Sequence, residues 1–178
     1  AELAAVEDTY LVGKVKAKAH PFVEYFKFLK QFEDENTVAK YTIPAPAQMF
    51  QQMIVPLNLE STRKFYPTNE ELIHDIGVAY QDVIRQFYEA GCRNLQFDDC
   101  TWGAVVGDAA KLRYSALGLN LDDVKTELLK VNNLALEAKP AEGWTQFKAE
   151  SGFEAEKPTT GKLIYAIKRY LIQQKSRE

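Results

Sequence analysis

Apolar and polar positions alternate in three short stretches of the chain. The first, 12–17, reads Val-Gly-Lys-Val-Lys-Ala and predicts a strand with Val15 and Ala17 on one face. The stretches 38–43 and 93–98 have a similar pattern and are followed by a proline or an acidic residue. Three strands are therefore predicted, each separated from the next by a longer segment.

Two long segments have the spacing of amphipathic helices. Residues 70–90 carry apolar side chains at i, i+3 and i+4, after a Thr-Asn-Glu-Glu capping box at 68–71. Gly91 is expected to end this helix. A second helix is predicted over 121–138, with Asn120 as its N-cap. This alternation of strands and helices is typical of an α/β protein with a parallel sheet.

Prolines and glycines mark the remaining segments. His20-Pro21 predicts the start of a further helix, since proline is tolerated at the first helical position. Residues 47–67 mix apolar residues with prolines and are predicted as a long loop with at most one helical turn. Residues 141–178 are predicted as a loop followed by an amphipathic helix over 163–174.

The composition is that of a soluble globular protein of one domain. The chain has 178 residues, of which 46% are apolar and 26% charged, and its net charge of −3 argues against nucleic acid or a membrane surface as a partner. Two cysteines and no long apolar run favour a cytoplasmic protein. Because the sequence opens on Ala1 rather than methionine, we expect it to be a trimmed or interior segment.

Histidine and cysteine are scarce, and their positions argue against a metal site. His20 is expected in a loop or capping role, and His74 on the polar face of the helix over 70–90. Cys92 and Cys100 are eight positions apart with no histidine nearby, which is not a zinc spacing. Cys92, directly after the glycine that ends the helix, is expected to be buried as a small apolar residue.

The pair Asp98-Asp99 is the most informative chemical feature. Neighbouring strand residues point to opposite faces, so the two carboxyl groups are not expected to share a proton. At the C-terminal end of a barrel strand, Asp98 would project into the barrel mouth and could hold a substrate ammonium group. The alternative is that Asp98 or Asp99 caps the next turn, and the pattern leaves both interpretations open.

Several motifs agree in sequence and order with one enzyme family. They are His20-Pro21-Phe22, Phe26-Lys27-Phe28-Leu29-Lys30, Thr42-Ile43-Pro44-Ala45-Pro46, Tyr80-Gln81-Asp82-Val83, Gly91-Cys92-Arg93-Asn94-Leu95-Gln96-Phe97-Asp98-Asp99 and Trp102. With these motifs the chain resembles the catalytic domain of cobalamin-independent methionine synthases, and more closely their short, single-domain bacterial relatives.

The resemblance implies a TIM-type (β/α)8 barrel that moves a methyl group from 5-methyltetrahydrofolate to a zinc-bound homocysteine thiolate. It places Asp98 where the family binds the amino group of homocysteine. It also points to Pro44, Ala45 and Gln48 on the folate side, and to Trp102 against the pterin or in a packing role. The implied cofactor is zinc, and methyltetrahydrofolate is the co-substrate.

Two departures from the family pattern limit what the resemblance implies. A (β/α)8 barrel needs about 250 residues, and the family's zinc ligands, which should follow residue 138, are not found. We therefore expect a partial barrel with parallel strands and flanking helices over 1–140, and a segment of uncertain alignment over 141–178. No metal ligand and no catalytic residue is assigned, and the chain as it stands is expected to be inactive.

Two other functions compete with a methyltransferase. One is a barrel protein similar to uroporphyrinogen decarboxylase, a family that also uses aspartates at strand ends. The other is a non-catalytic remnant that acts by association, since a partial barrel exposes sheet edges and apolar faces that favour pairing with another chain. A homodimer is the simplest form of such an association.

Overall fold

The computed structural model describes residues 10–138, which form a helical unit around a small parallel sheet. In chain order its elements are α1 (Pro21–Lys30), β1 (Lys40–Pro44), α2 (Pro46–Ile54), α3 (Pro56–Arg63), α4 (Asn69–Glu89), β2 (Asn94–Asp98), α5 (Trp102–Val105), α6 (Asp108–Ala116) and α7 (Leu121–Leu136). The predictions for 141–178 lie outside these described residues.

The two strands pair in parallel, as the sequence predicts. Lys40 lies opposite Asn94, and the register continues to Pro44 opposite Asp98. A parallel pair with helices between its strands confirms the α/β class. In the part of the chain that the structure describes the sheet has two strands, so it does not show a closed barrel.

The sheet has one apolar face and one polar face. Tyr41, Ile43, Leu95 and Phe97 pack with Phe26 and other residues of α1 and α4. The alternate residues of both strands are exposed: Lys40, Thr42, Pro44, Asn94, Gln96 and Asp98. The period of two residues along a strand therefore places all the polar chemistry of the sheet on the face away from the helices.

The helix boundaries follow the capping signals. The Thr68 hydroxyl accepts a hydrogen bond from the backbone N–H of Glu71 at 3.3 Å, and the Asn120 side chain accepts from the first turn of α7. The His20 ring accepts from the N–H of Phe22 at 3.3 Å, which confirms its capping role. Gly91, with φ of +91°, follows the end of α4 in the left-handed conformation that glycine adopts readily.

The prediction of a loop over 47–67 is wrong, because α2 and α3 occupy most of this segment. Pro46 and Pro56 each stand at the start of a helix, where the missing N–H costs nothing, rather than breaking one. Phe50, Met53 and Ile54 then follow at helical spacing and are buried. The prolines mark two helix starts in succession, and the prediction treated them as breaks.

The strand predicted over 12–17 is also wrong. Its alternation is real, since Val15 and Ala17 are half-buried while the lysines between and beside them are exposed. The backbone N–H of Val15 donates instead to the Tyr66 hydroxyl at 2.6 Å, and that hydroxyl donates to Asp75 at 2.8 Å. Burial raises the pKa of Tyr66 to about 12, so the phenol stays uncharged and keeps its hydrogen bond to the segment 12–17.

The main core lies where α2, α4 and α7 meet. Phe50, Leu72, Ile76 and Leu128 are fully buried there. Leu72, Ile76, Val83 and Phe87 form the buried part of the apolar stripe on α4. Four residues of α7 at helical spacing are buried as well: Val124, Leu128, Val131 and Ala135. No helix of the described residues is long and apolar enough to cross a membrane.

Candidate functional site

The candidate site lies at the C-terminal ends of β1 and β2, which end side by side. Pro44 is opposite Asp98 in the register, and the N–H of Ala45 donates to the Asp98 carbonyl at 2.9 Å. Because the strands are parallel, the segments that leave them emerge at the same edge of the sheet. The start of α2 and the turn that leads into α5 are therefore neighbours.

Asp98 is exposed on the polar face of the sheet. Its side chain has no hydrogen-bond partner among residues 10–138, and Thr42 and Gln96 are exposed on the same face. A carboxylate in this setting keeps its acceptor sites available for a cation or an N–H donor. Its position at a strand end agrees with the prediction, while its role as a ligand for an ammonium group stays a prediction.

Asp99, directly after β2, is half-buried and is held by four hydrogen bonds. One carboxylate oxygen accepts from the backbone N–H of Thr101 at 3.1 Å and from the Thr101 hydroxyl at 2.5 Å. The other accepts from the Trp102 indole N–H at 3.2 Å and from the Asn132 amide at 2.8 Å. Asp99 therefore caps the turn after β2, which was one of the two roles left open for this pair.

Asn132 connects this turn to two helices. From α7 its amide nitrogen donates to Asp99, while its amide oxygen accepts from the backbone N–H of Ala47 at 3.0 Å. That N–H belongs to the first turn of α2, where no intrahelical partner is available. One side chain thus fixes the end of β2 and the start of α2 relative to α7.

Two further side chains complete the cluster. The Gln48 amide donates to the Cys100 sulfur at 2.8 Å, which links the first turn of α2 to the turn after β2. Trp102 is half-buried against the main core, with its indole N–H held by Asp99. Its ring orientation is therefore fixed from within the protein, which is compatible with both the packing role and the pterin contact that the sequence left open.

The five residues predicted to bind substrate lie together at these strand ends. Pro44 is the last residue of β1, and Ala45 and Gln48 follow that strand; Asp98 is the last residue of β2, and Trp102 follows it. Ala45 is fully buried, so it can contribute its backbone but not its side chain to a ligand. The remaining four are exposed or half-buried.

Sequence reasoning missed Thr101 and Asn132, and of the two Asn132 carried a signal. Asn132 is a polar residue beside Val131 on the inward face of an otherwise regular α7, next to the positions 128 and 135. A polar side chain on a buried stripe needs a hydrogen-bond partner. The strand-end aspartates were the nearest unassigned acceptors, but the partner could not be chosen without the fold.

A groove of about 310 Å³ runs beside β1, on the far side of that strand from β2. It is lined by the segment 15–21, the end of β1 and the middle of α4, with Lys16 and Lys18 as its lysines. The Tyr80 hydroxyl in its wall donates to the Pro44 carbonyl at 3.0 Å, and burial raises the pKa of Tyr80 to about 12. Asp98 does not line this groove, and Pro44 belongs to both the groove and the candidate site.

The residues that the structure describes do not fit a zinc site. Within residues 10–138 no three His, Cys, Asp or Glu side chains are grouped to hold a metal ion. The four His and Cys residues are dispersed: His20 precedes α1, His74 is exposed on α4, Cys92 precedes β2 and Cys100 follows it. Burial raises the pKa of the Cys92 thiol, which further disfavours the thiolate that a metal requires.

The described chain is thus an α/β protein whose polar residues cluster at parallel strand ends, and comparisons with known proteins agree with that class. The crystal structure of a Listeria monocytogenes protein, named as a "putative vitamin-B12 independent methionine synthase", is similar with a TM-score of 0.59 and 30% identity. The similarity covers 74% of this chain and 37% of the Listeria chain.

Two uncharacterized proteins of Bacillus subtilis (strain 168) are also similar in sequence. YxjH is 31% identical over 130 residues, and YxjG is 28% identical over 131 residues. The matches include 73% of this chain and 33% of each Bacillus protein, so the chain spans about one third of the length of these curated relatives. No protein-family model matches the chain.

Proposed function

We propose that this chain corresponds to the substrate-binding part of a methyltransferase of the cobalamin-independent methionine synthase type. The observation that carries the proposal is the similarity to the Listeria protein over 74% of the chain at 30% identity. In this reaction the sulfur of homocysteine forms a bond to the methyl carbon while that carbon's bond to nitrogen in 5-methyltetrahydrofolate breaks. The similarity favours this function over a decarboxylase.

Asp98 is proposed to bind the ammonium group of homocysteine. Its carboxylate is exposed at the strand end and has no intramolecular partner among the described residues. A charge-assisted hydrogen bond to a carboxylate contributes about 1.5–3 kcal/mol, which makes Asp98 the strongest single contact available on this face. Asp99 is excluded from this role because Thr101, Trp102 and Asn132 already occupy its oxygens.

The folate is proposed to lie on the β1 side of the same edge. Pro44 and Gln48 present exposed or half-buried side chains there, and Ala45 contributes backbone only. Trp102 lies across the edge, with its ring orientation fixed by Asp99. A half-buried indole of fixed orientation offers part of its face for stacking on a flat ring system without loss of conformational entropy.

In the family this chain resembles, zinc would convert the homocysteine thiol to a thiolate. Since residues 10–138 do not fit a zinc site, this chain is proposed to bind substrate without transferring the methyl group. We expect metal analysis of chelator-washed protein to find well under one zinc per chain. One retained zinc per chain together with homocysteine-dependent methyl transfer would contradict this proposal.

Titration calorimetry with homocysteine tests the role of Asp98. Asp98→Asn should weaken binding by about 1.5–3 kcal/mol, or roughly 10- to 150-fold. The control is Asp122→Asn, which makes the same change of charge at an exposed residue at the start of α7. Equal affinity of the wild type and Asp98→Asn, or no measurable binding by the wild type, would remove Asp98 from the site.

A further inference from the structure

The helix α2 begins without a capping side chain of its own. Its N-cap is Ala45, whose methyl group cannot accept a hydrogen bond, and Pro46 follows without an N–H. The first N–H of this helix that needs a partner is therefore that of Ala47. In contrast, the side chain of the preceding residue caps α1, α4 and α7, and these caps are His20, Thr68 and Asn120.

The missing cap of α2 comes from α7. The Asn132 amide oxygen accepts from the Ala47 N–H at 3.0 Å, across 85 positions of sequence, and its amide nitrogen donates to the Asp99 carboxylate at 2.8 Å. A local cap would satisfy the same N–H. A cap from another helix also fixes the start of α2 relative to the end of β2, because Asp99 directly follows that strand.

The two contacts of Asn132 need one acceptor and one donor on the same short side chain. The Ala47 N–H is a donor, and the Asp99 oxygen is an acceptor that also takes the Trp102 indole N–H. With the amide reversed, two donors would meet at Ala47 and two acceptors would meet at Asp99. An aspartate at position 132 could still cap α2, but it would place a second carboxylate against Asp99.

We propose that Asn132 is a positioning residue for the candidate site, which sets the homocysteine side at the end of β2 against the folate side at the start of α2. The inference rests on the proposed function, since it takes the two ligands from it. Asn132 is not itself among the residues proposed to contact either ligand. A binding site must be held within about 0.5 Å of its productive geometry by supporting side chains, and Asn132 has the contacts for that role.

Two other contacts join the same segments, and neither replaces Asn132. The Ala45 N–H donates to the Asp98 carbonyl at 2.9 Å, which fixes one point but leaves the direction of α2 free. The Gln48 amide donates to the sulfur of exposed Cys100, and sulfur is a weak acceptor. Without Asn132, α2 could therefore tilt about the contact at Ala45 and carry the folate side away from Asp98.

An exchange of the two side chains tests this role in the full chain. In titration calorimetry, Asn132→Asp should weaken the binding of homocysteine and of 5-methyltetrahydrofolate by about tenfold each, the scale on which loss of an orienting partner weakens binding at metal sites. The double variant Asn132→Asp/Asp99→Asn restores a donor and an acceptor between these positions and keeps the net charge. It should bind homocysteine more tightly than Asn132→Asp alone. Asn132→Ala should show the same loss as Asn132→Asp, and it replaces that variant if the added charge prevents folding.

Gln81→Glu is the matched control. The Gln81 amide also anchors a second helix to α7, by donating to the Leu134 carbonyl at 2.7 Å, and its change to a carboxylate is the same as in Asn132→Asp. It should lower the free energy of unfolding without weakening the binding of either ligand. Urea unfolding of each variant gives the folded fraction, so that binding is compared among folded molecules only.

The outcomes separate this inference from the proposed function. Wild-type affinity of Asn132→Asp for either ligand would overturn the inference, as would equal weakening by Gln81→Glu or an exchange variant that recovers no affinity. If Asp98→Asn still weakens homocysteine binding in any of these cases, the proposed function stands and only the role of Asn132 is rejected. A wild-type chain that binds no homocysteine would overturn both.

Discussion

The contact between Gly77 and Leu134 allows a sharp test of how α4 packs on α7. Gly77 is buried in the middle of α4. A Cβ atom added there would lie 2.6 Å from Cγ and 3.0 Å from Cβ of Leu134. The Cβ atom of Leu134 cannot move without its backbone, and the Gln81 amide holds that backbone by donating to the Leu134 carbonyl at 2.7 Å. The helices therefore cannot separate freely to admit a methyl group.

Two opposing effects set the magnitude for Gly77→Ala. Alanine is favoured over glycine in a helix interior by about 1 kcal/mol. Overpacking a close contact costs about 1–3 kcal/mol. Since Leu134 is only half-buried and its far end can shift, we expect a net loss of roughly 1 kcal/mol. For a chain of this size that loss lowers the melting temperature by about 2–4 °C.

Urea unfolding followed by circular dichroism, at one protein concentration, measures the change in the free energy of unfolding. Gly103→Ala is the control, because a Cβ atom at this helical glycine meets nothing within 4 Å. It should be neutral or stabilising by up to about 1 kcal/mol. The double variant Gly77→Ala/Leu134→Ala should lose less free energy of unfolding than the two single variants lose together. If Gly77→Ala is as stable as the wild type, the close approach of the two helices is refuted.

Three further changes test the other contacts. Asn132→Ala leaves the N–H of Ala47 without a partner and removes one of the two hydrogen bonds to an oxygen of Asp99, so urea unfolding should show a loss of about 1–3 kcal/mol. Thr68→Ala removes the N-cap of α4 and should cost about 1 kcal/mol in the same measurement. Burial alone would raise the pKa of Asp75, but hydrogen bonds from Tyr66 and His74 outweigh it and hold that pKa below its usual value. The contribution of Asp75 to stability is therefore present above the unfolded pKa of about 3.9 and is lost as the pH falls through the folded pKa. In a plot of the free energy of unfolding against pH, Asp75→Asn should make the fall at acid pH less steep. An unchanged slope at acid pH would contradict this.

Elements with strong local signals were predicted from the sequence nearly to the residue. The helix predicted over 70–90 is observed as Asn69–Glu89, and that over 121–138 as Leu121–Leu136. In both, a capping side chain and an apolar stripe indicate the same helix. The strands at 40–44 and 94–98 were predicted within two residues. Local propensity and hydrophobic period therefore determine these elements.

The errors occurred where local pattern and tertiary context disagree. The alternation over 12–17 is compatible with a strand, but a strand needs a neighbour, and Tyr66 takes the Val15 N–H instead. Nothing in the local sequence reveals that contact across 51 positions. The prolines at 46 and 56 are ambiguous for a different reason, because a proline both ends the preceding element and begins a helix.

The alternation of side chains between the two faces of a strand explains why the candidate site was only partly predictable. The alternation of side chains separated Asp98 from Asp99, and in the structure Asp98 ends β2 with an exposed side chain while Asp99, directly after the strand, makes four hydrogen bonds. It could not identify Asn132, which reaches Asp99 from α7 across 33 positions. The different settings of Asp98 and Asp99 have a physical consequence for the proposed function. Asp99 fixes the geometry of the strand end at no cost to Asp98, so the exposed carboxylate is placed by the fold while its own oxygens remain available to a ligand.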